Sequence, residues 1–216
     1  ILKMKNALNI RSDEFLKKYT TLQTLKDTGI PLVKLLMREN SNGACIFLDG
    51  SKGCSIYQNR PQVCRSYPLG LGTLDPRHEK LQTEGQSPEA RFMIQEDMCK
   101  GHLEPKTWTL KKWMEDQGTV AMEEGNKPWM EIVAKLKAMK INDKQNHEIS
   151  LFIMASYDLD TFRQFVFESS FLERFEVDIN TVKSIRSEQE SLLKFGMEWL
   201  LFALFNEGTI RPKVNK

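Results

Sequence analysis

The sequence predicts a mainly α-helical chain with a small, irregular α+β module that carries the cysteines. Three observations predict it. All four cysteines, Cys45, Cys54, Cys64 and Cys99, precede residue 100, among short runs broken by Gly, Pro and Asn. All four tryptophans and 14 of the 20 aromatic residues follow residue 104. That aromatic half is punctuated by helix caps and breakers, namely Gly118, Asn126, Pro128, Asp160 and Gly208. The division falls at Glu104-Pro105, giving a cysteine-bearing module over 1–104 and a helical module over 105–216. A chain of 216 residues is long enough for a substantial core.

In the first module, residues 1–8 read as the tail of a helix. Ser12 caps a second helix, with Asp13 and Glu14 favoured by the dipole in its first turn and Phe15, Leu16 and Tyr19 on its apolar face. Residues 31–37 and 44–48 are strands, with Asn42-Gly43 as turn material between them. Gly50-Ser-Lys-Gly53 is a loop. Pro61 opens a short helix through Cys64, because proline suits the first helical position. Gly70, Gly72 and Pro76 mark another loop, and residues 90–98 form a strand running into Cys99.

In the second module, residues 107–117 and 119–124 read as helices broken at Gly118. Asn126 caps a helix with Pro128 in its first turn that runs to about Lys140. Residues 147–158 and 160–168 are two more, Asp160 capping the latter, and another covers 178–186. Ser187-Glu-Gln-Glu190 is a capping box that opens a last helix ending near Asn206, with Gly208 beyond it. Residues 199–205 of that helix are apolar without a break. Helices apolar all round are buried, so domain core is the expected role. Self-association or a protein partner is the alternative.

Composition excludes several classes. The seven-residue run 199–205 is the longest apolar stretch, far short of the roughly 20 residues of a membrane-spanning helix. Net charge is +2, with 15 basic against 12 acidic residues in 1–104 and 16 against 17 in 105–216. Neither half has the basic excess that points to nucleic acid. The chain opens on Ile1 inside a helix, with no charged-then-apolar leader. The expectation is a cytoplasmic protein whose own start lies upstream.

The cysteines stand in Cys45-Ile-Phe-Leu48, Gly53-Cys54-Ser-Ile-Tyr57 and Arg60-Pro61-Gln-Val-Cys64-Arg65-Ser-Tyr67-Pro68, with Cys99 following in Met98-Cys99-Lys-Gly101. The spacing is not that of a zinc ribbon, which shows paired C-x2-C knuckles. Read alone, it leaves three alternatives: a metal site, buried thiols acting as small hydrophobes, or a disulfide. Four soft thiolates presented from turns suit zinc or an iron–sulfur cluster rather than magnesium or calcium. Arg60 and Arg65 flank Cys64. They serve either as hydrogen-bond donors to thiolates or bound sulfide, or as loop braces that pair with Asp49 or a backbone carbonyl. Tyr57 and Tyr67 read as packing residues with satisfied hydroxyls. His102 lies three after Cys99, so one turn can present two ligands; an exposed or capping histidine is the favoured reading. His78 and His147 read as solvated. No serine–histidine–acid set, phosphate loop or His-Glu-x-x-His helix is present, and no catalytic residue is singled out.

The run from Cys45 to Pro68 closely resembles the YkgJ-type cysteine-cluster family, described as chelating zinc or iron. Its pattern "C-x-F-L … G-C-x-I-Y-x-x-R-P-x-x-C-R-x-Y/F-P" is met at Cys45, Cys54 and Cys64, and its later C-x-G cysteine at Cys99. Tyr157-Asp-Leu-Asp-Thr-Phe-Arg-Gln-Phe-Val-Phe167 is similar to the helical extension of some members. The resemblance implies a metal-binding protein holding zinc, iron or an iron–sulfur centre on Cys45, Cys54, Cys64 and Cys99. The alternative it implies is an enzyme, since some relatives are described as flagellin lysine N-methylases and others as iron–sulfur oxidoreductases. The family's dense C-x2-C-x2-C-C run does not occur in these 216 residues, and the expectation is that this segment has been lost from upstream of Ile1.

Overall fold

Why the chain folds as it does is clearest from its helices, which carry most of the apolar side chains. The computed structural model describes residues 1–25, 28–39, 43–73, 89–97, 99–139 and 146–213. Among the described residues there are ten α-helices and five two-stranded antiparallel ladders. The fold class is the expected one: mainly α, with a small α+β part toward the N-terminus. The chain divides into two compact units, one formed by Ile1–Asn59 with Asn126–Lys216, the other by Arg60–Gly125.

The first 59 residues hold two helices, α1 (Leu2–Ala7) and α2 (Ser12–Tyr19). Strand β1 (Thr20–Thr24) pairs with β2 (Pro31–Leu35), Thr20 opposite Leu35 and Thr24 opposite Pro31. The predicted strand 31–37 is real but interrupted, because β3 (Met37–Arg38) pairs separately with β4 (Ala44–Cys45). Likewise β5 (Leu48–Asp49) pairs with β6 (Gly53–Cys54) across a 3-10 turn at Gly50–Lys52. Asn42 lies outside the described residues.

The second unit begins with α3 (Gln62–Ser66), with Pro61 just before it. Leu69–Thr73 is a strand, β7, paired with β8 (Glu89–Met93). The loop expected at Gly70 and Gly72 is therefore corrected. Glycine permits a strand where something approaches closely, and the Phe92 ring lies against the position a Gly70 Cβ would take. The strand expected over 90–98 stops at Met93. Pro76, His78 and Met98 lie outside the described residues. Helix α4 (Leu110–Gln117) is capped by Thr109, whose hydroxyl accepts from Lys112 N, and ends at Gly118, which takes φ 64°. That left-handed conformation suits glycine.

Helix α5 (Thr119–Met139) runs without the break expected at Gly125-Asn126 and contains Pro128. An interior proline costs ~3 kcal/mol or more. The same helix buries Ile132, Val133 and Leu136, at roughly 1.5–3 kcal/mol each, so packing overrides the local signal. Lys140 lies outside the described residues. Next come α6 (Asn146–Ser156), α7 (Leu159–Glu168), α8 (Phe171–Arg174), α9 (Ile179–Ser187) and α10 (Gln189–Phe205). Strand β9 (Phe175–Glu176) pairs with β10 (Arg211–Pro212). Asp158, not Asp160, caps α7. The expected capping box is also corrected: Ser187 ends α9, with its hydroxyl on Lys183 O at 3.1 Å, and Glu188 precedes α10. Helix α10 ends as expected, at Asn206 in the left-handed region with Gly208 beyond.

Two apolar clusters hold the unit of 1–59 and 126–216 together. In the larger, Ile132, Phe152, Phe162, Val166, Phe171, Ile185, Leu192 and Leu200 are almost fully enclosed and Trp199 is buried, while Phe165, Phe202 and Phe205 pack half-buried against them. Helix α10 approaches α6 at Gly196, where a Cβ would stand 3.0 Å from Ala155 O. The smaller cluster is Met4, Phe15, Phe47 and Ile56. The two are tied by paired helix starts: Ser12 N donates to Asp160 Oδ2 and Asp160 N to Ser12 Oγ, each at 2.7 Å, while Ser12 Oγ donates to Asp158 Oδ1 at 2.7 Å. Each start thus satisfies donors the other leaves open. Ser12, expected as a simple cap, does this instead of capping its own helix. Buried Lys5 completes the junction at 3.0 Å from Asp160. No helix of the described residues is long and apolar enough to cross a membrane.

Candidate metal centre

Cys45 and Cys54 belong to the first unit. Cys45 lies in β4 opposite Met37, and Cys54 in β6 opposite Leu48. Both are half-buried and pack on the smaller apolar cluster. The turn between them is fixed by the backbone: Ile46 N donates to Leu36 O at 3.1 Å, and Phe47 O accepts from Ser55 N at 2.8 Å. Cys54 also lines an open cleft of about 440 Å³ with Leu8, Tyr57 and Asn59.

Cys64 and Cys99 belong to the second unit. Cys64 is exposed on α3, whose first turn is closed by Cys64 N and Arg65 N donating to Pro61 O at 3.0 and 3.2 Å. Arg60 Nη2 donates to Gln117 Oε1 at 2.5 Å. Arg65 Nη1 donates to Gln117 O at 3.1 Å, and its Nε lies 3.4 Å from Arg60 O. Trp113 Nε1 donates to Ser66 O at 3.1 Å. The two arginines thus brace the strip of chain that carries Cys64.

Cys99 is half-buried and precedes a 3-10 turn, Lys100–Leu103. Its thiol is held below the ordinary value, first by the Tyr67 hydroxyl, then against desolvation by the backbone N–H groups of Gly101 and His102, with Glu96 opposing them. Hydrogen bonds to the charged form favour it, so loss of the Cys99 proton is eased. The Tyr67 hydroxyl stands between Cys99 and Glu96, 3.1 Å from Glu96 Oε2. Hydrogen bonding to Cys99, then burial and the hydrogen bond to Glu96, push its own titration upward. Tyr67, expected as a packing residue with a satisfied hydroxyl, has that hydroxyl on Glu96 and also beside the Cys99 sulfur. His102 Nε2 is enclosed and has no hydrogen-bond partner among the described residues. A buried polar atom left so costs roughly 1–3 kcal/mol.

Zinc and iron take sulfur and imidazole donors; among the described residues Cys45 and Cys54 offer sulfur in the first unit, and Cys64, Cys99 and the unpartnered His102 Nε2 offer sulfur and nitrogen in the second. No disulfide joins Cys45, Cys54, Cys64 and Cys99. Within neither unit do three His, Cys, Asp or Glu side chains gather closely enough to hold a metal ion, among the described residues. Sequence reasoning missed Gln117 and Trp113, since nothing in the local pattern marks a partner 52 residues from Arg65 or 47 from Ser66.

Residues 1–100 match the model of the CxxCxxCC family, described as "Putative zinc- or iron-chelating domain". The match takes in Cys45, Cys54, Cys64 and Cys99. It starts at residue 1 and does not bear out the expected loss of an upstream segment, and it leaves the YkgJ type unconfirmed. No curated protein and no solved structure matches the chain.

Proposed function

We propose that the chain is a metal-binding protein that holds zinc or iron through cysteine thiolates, with Cys45, Cys54, Cys64 and Cys99 as ligands. The observation that carries this reading is the match of residues 1–100 to a zinc- or iron-chelating family, since that stretch holds every cysteine of the chain. The surroundings of Cys99 support it: a thiol kept toward its anion by Tyr67 and two N–H groups is ready to bind a soft cation without first losing a proton at high cost. His102 offers a nitrogen donor on the same turn. Residues 1–104 are the chelating module on this proposal, and 105–216 supply the helical support. Arg60 and Arg65 balance thiolate charge and orient the ligand-bearing loop.

Zinc and an iron–sulfur cluster are separated by metal analysis of protein purified without oxygen, together with its visible absorption. A coloured protein with iron and acid-labile sulfide is a cluster protein; a colourless one with stoichiometric zinc is a zinc protein. Protein that carries neither metal, and takes up neither when offered, overturns the proposal.

One observation favours a second reading for two of the cysteines. Cys45 and Cys54 pack against the cluster of Met4, Phe15, Phe47 and Ile56, as small apolar side chains do. Replacing each by Ala separates the roles. A ligand loses metal on that change; a packing thiol keeps the metal content and shifts only stability.

A further inference from the structure

The geometry points to Gln117 as the residue that positions the Cys64 sulfur, by clamping the short helix that carries it from both sides. This rests on Cys64 being a metal ligand, as proposed above.

Helix α3 has five residues, too few to hold itself. Apolar burial does not hold it either, since Val63 is 77% exposed and Cys64 is exposed. Polar bonds take over that role, and they converge on the end of α4. Arg60, four residues before Cys64, reaches the Gln117 side-chain oxygen at 2.5 Å. Arg65, one residue after Cys64, reaches the Gln117 carbonyl at 3.1 Å. That carbonyl is open because α4 stops there, with Gly118 turning left-handed, and the final carbonyls of a helix have no partner of their own. They also form the negative end of the helix dipole, which suits a guanidinium. The Gln117 amide is oriented from its other side, its Nε2 donating to Asp116 Oδ2 at 2.7 Å. Trp113, one turn earlier, holds the far end of α3 through Ser66 O at 3.1 Å. One glutamine therefore receives both guanidinium groups that bracket the thiol, fixing where the sulfur stands before any metal arrives.

The test compares wild type with Gln117→Met, Gln117→Glu and Cys64→Ser in the whole chain, with folding followed by circular dichroism. Methionine keeps the length and removes the side-chain oxygen that receives Arg60, leaving the backbone carbonyl that receives Arg65; glutamate restores the side-chain acceptor. Two readouts are taken: retention of zinc against a chelator, and the alkylation rate of Cys64 in metal-free protein, with Cys45 as internal reference. Gln117→Met should weaken retention by about 10–100-fold, the usual effect of losing a group that orients a ligand. It should also change the alkylation of Cys64 while leaving Cys45 alone, and Gln117→Glu should restore both. Wild-type values for Gln117→Met, or a Gln117→Glu variant as impaired as Gln117→Met, overturn the proposal. Unchanged zinc content in Cys64→Ser removes the ligand role beneath it, a failure seen independently of what the Gln117 variants do.

Discussion

Replacing Trp199 by Ala removes the ring at the centre of the larger core. Trp199 is 4% exposed, and its ring lies 5.6 Å from Phe162, 5.1 Å from Phe165 and 6.2 Å from Phe171. A buried tryptophan removes about 150–250 Å² from water, or roughly 4–6 kcal/mol at ~25 cal/mol per Å². Alanine keeps part of that burial, while the cavity it leaves adds cost, and large aromatic-to-Ala changes come to ~3–5 kcal/mol. With a urea slope of about 2–3 kcal/mol per M, the midpoint should fall by roughly 1–2.5 M with the slope unchanged. The assay is urea unfolding followed by far-ultraviolet circular dichroism, reading the transition of the unit that contains α10. Trp199→Phe, which refills much of the space, should lose less than half as much. A midpoint that stays put, above all together with a change of oligomeric state, would show that 199–205 is an interface and not a core.

Acid should loosen the junction of α2 and α7. Burial alone would raise Asp160, but the Ser12 N–H, the Lys5 ammonium and the Ser12 hydroxyl outweigh it and hold the carboxyl below its usual range. A depressed folded value means stability that is full above the ordinary carboxylate range and is lost as pH falls through the folded value, so the loss should fall below about pH 4. Ser12→Ala should flatten that acid limb in urea midpoints taken from neutral to low pH; an unaltered limb would place the acid sensitivity elsewhere. Tyr67→Phe should raise the pH at which Cys99 becomes reactive in metal-free protein, because the hydroxyl is the foremost support of the thiolate. Site-resolved alkylation against pH reads this, and an unmoved midpoint would assign the thiolate to the Gly101 and His102 amides alone.

Much of the fold was legible because it is written in composition and local pattern. The aromatic-rich helices, the left-handed stop at Gly118 and the end of α10 at Asn206 follow from side-chain burial and backbone sterics read locally. What escaped depends on distant partners. Strand β1 follows α2 directly, with no turn to announce it, and exists because β2 lies alongside. Pro128 looked like a helix start, and the burial of Ile132 and Leu136 overrode it. Ser12 and Asp160 each looked like a lone cap and are each other's partner across 148 residues. The candidate site divides in the same way. The cysteines and their flanking arginines stand out in the sequence by type and pattern. Tyr67 facing Cys99 and Gln117 receiving Arg60 and Arg65 are long-range contacts that leave no mark in spacing.

The central claim is that cysteine thiolates of this chain hold zinc or iron. Cysteine-resolved alkylation, followed by mass spectrometry on protein kept from oxygen, tests it most directly. The four thiols are compared in metal-free protein, after zinc or ferrous iron, and after a chelator is added back. The account predicts that Cys45, Cys54, Cys64 and Cys99 are each slowed by one of the metals and released again by the chelator. Equal alkylation at all four cysteines with and without either metal would contradict it.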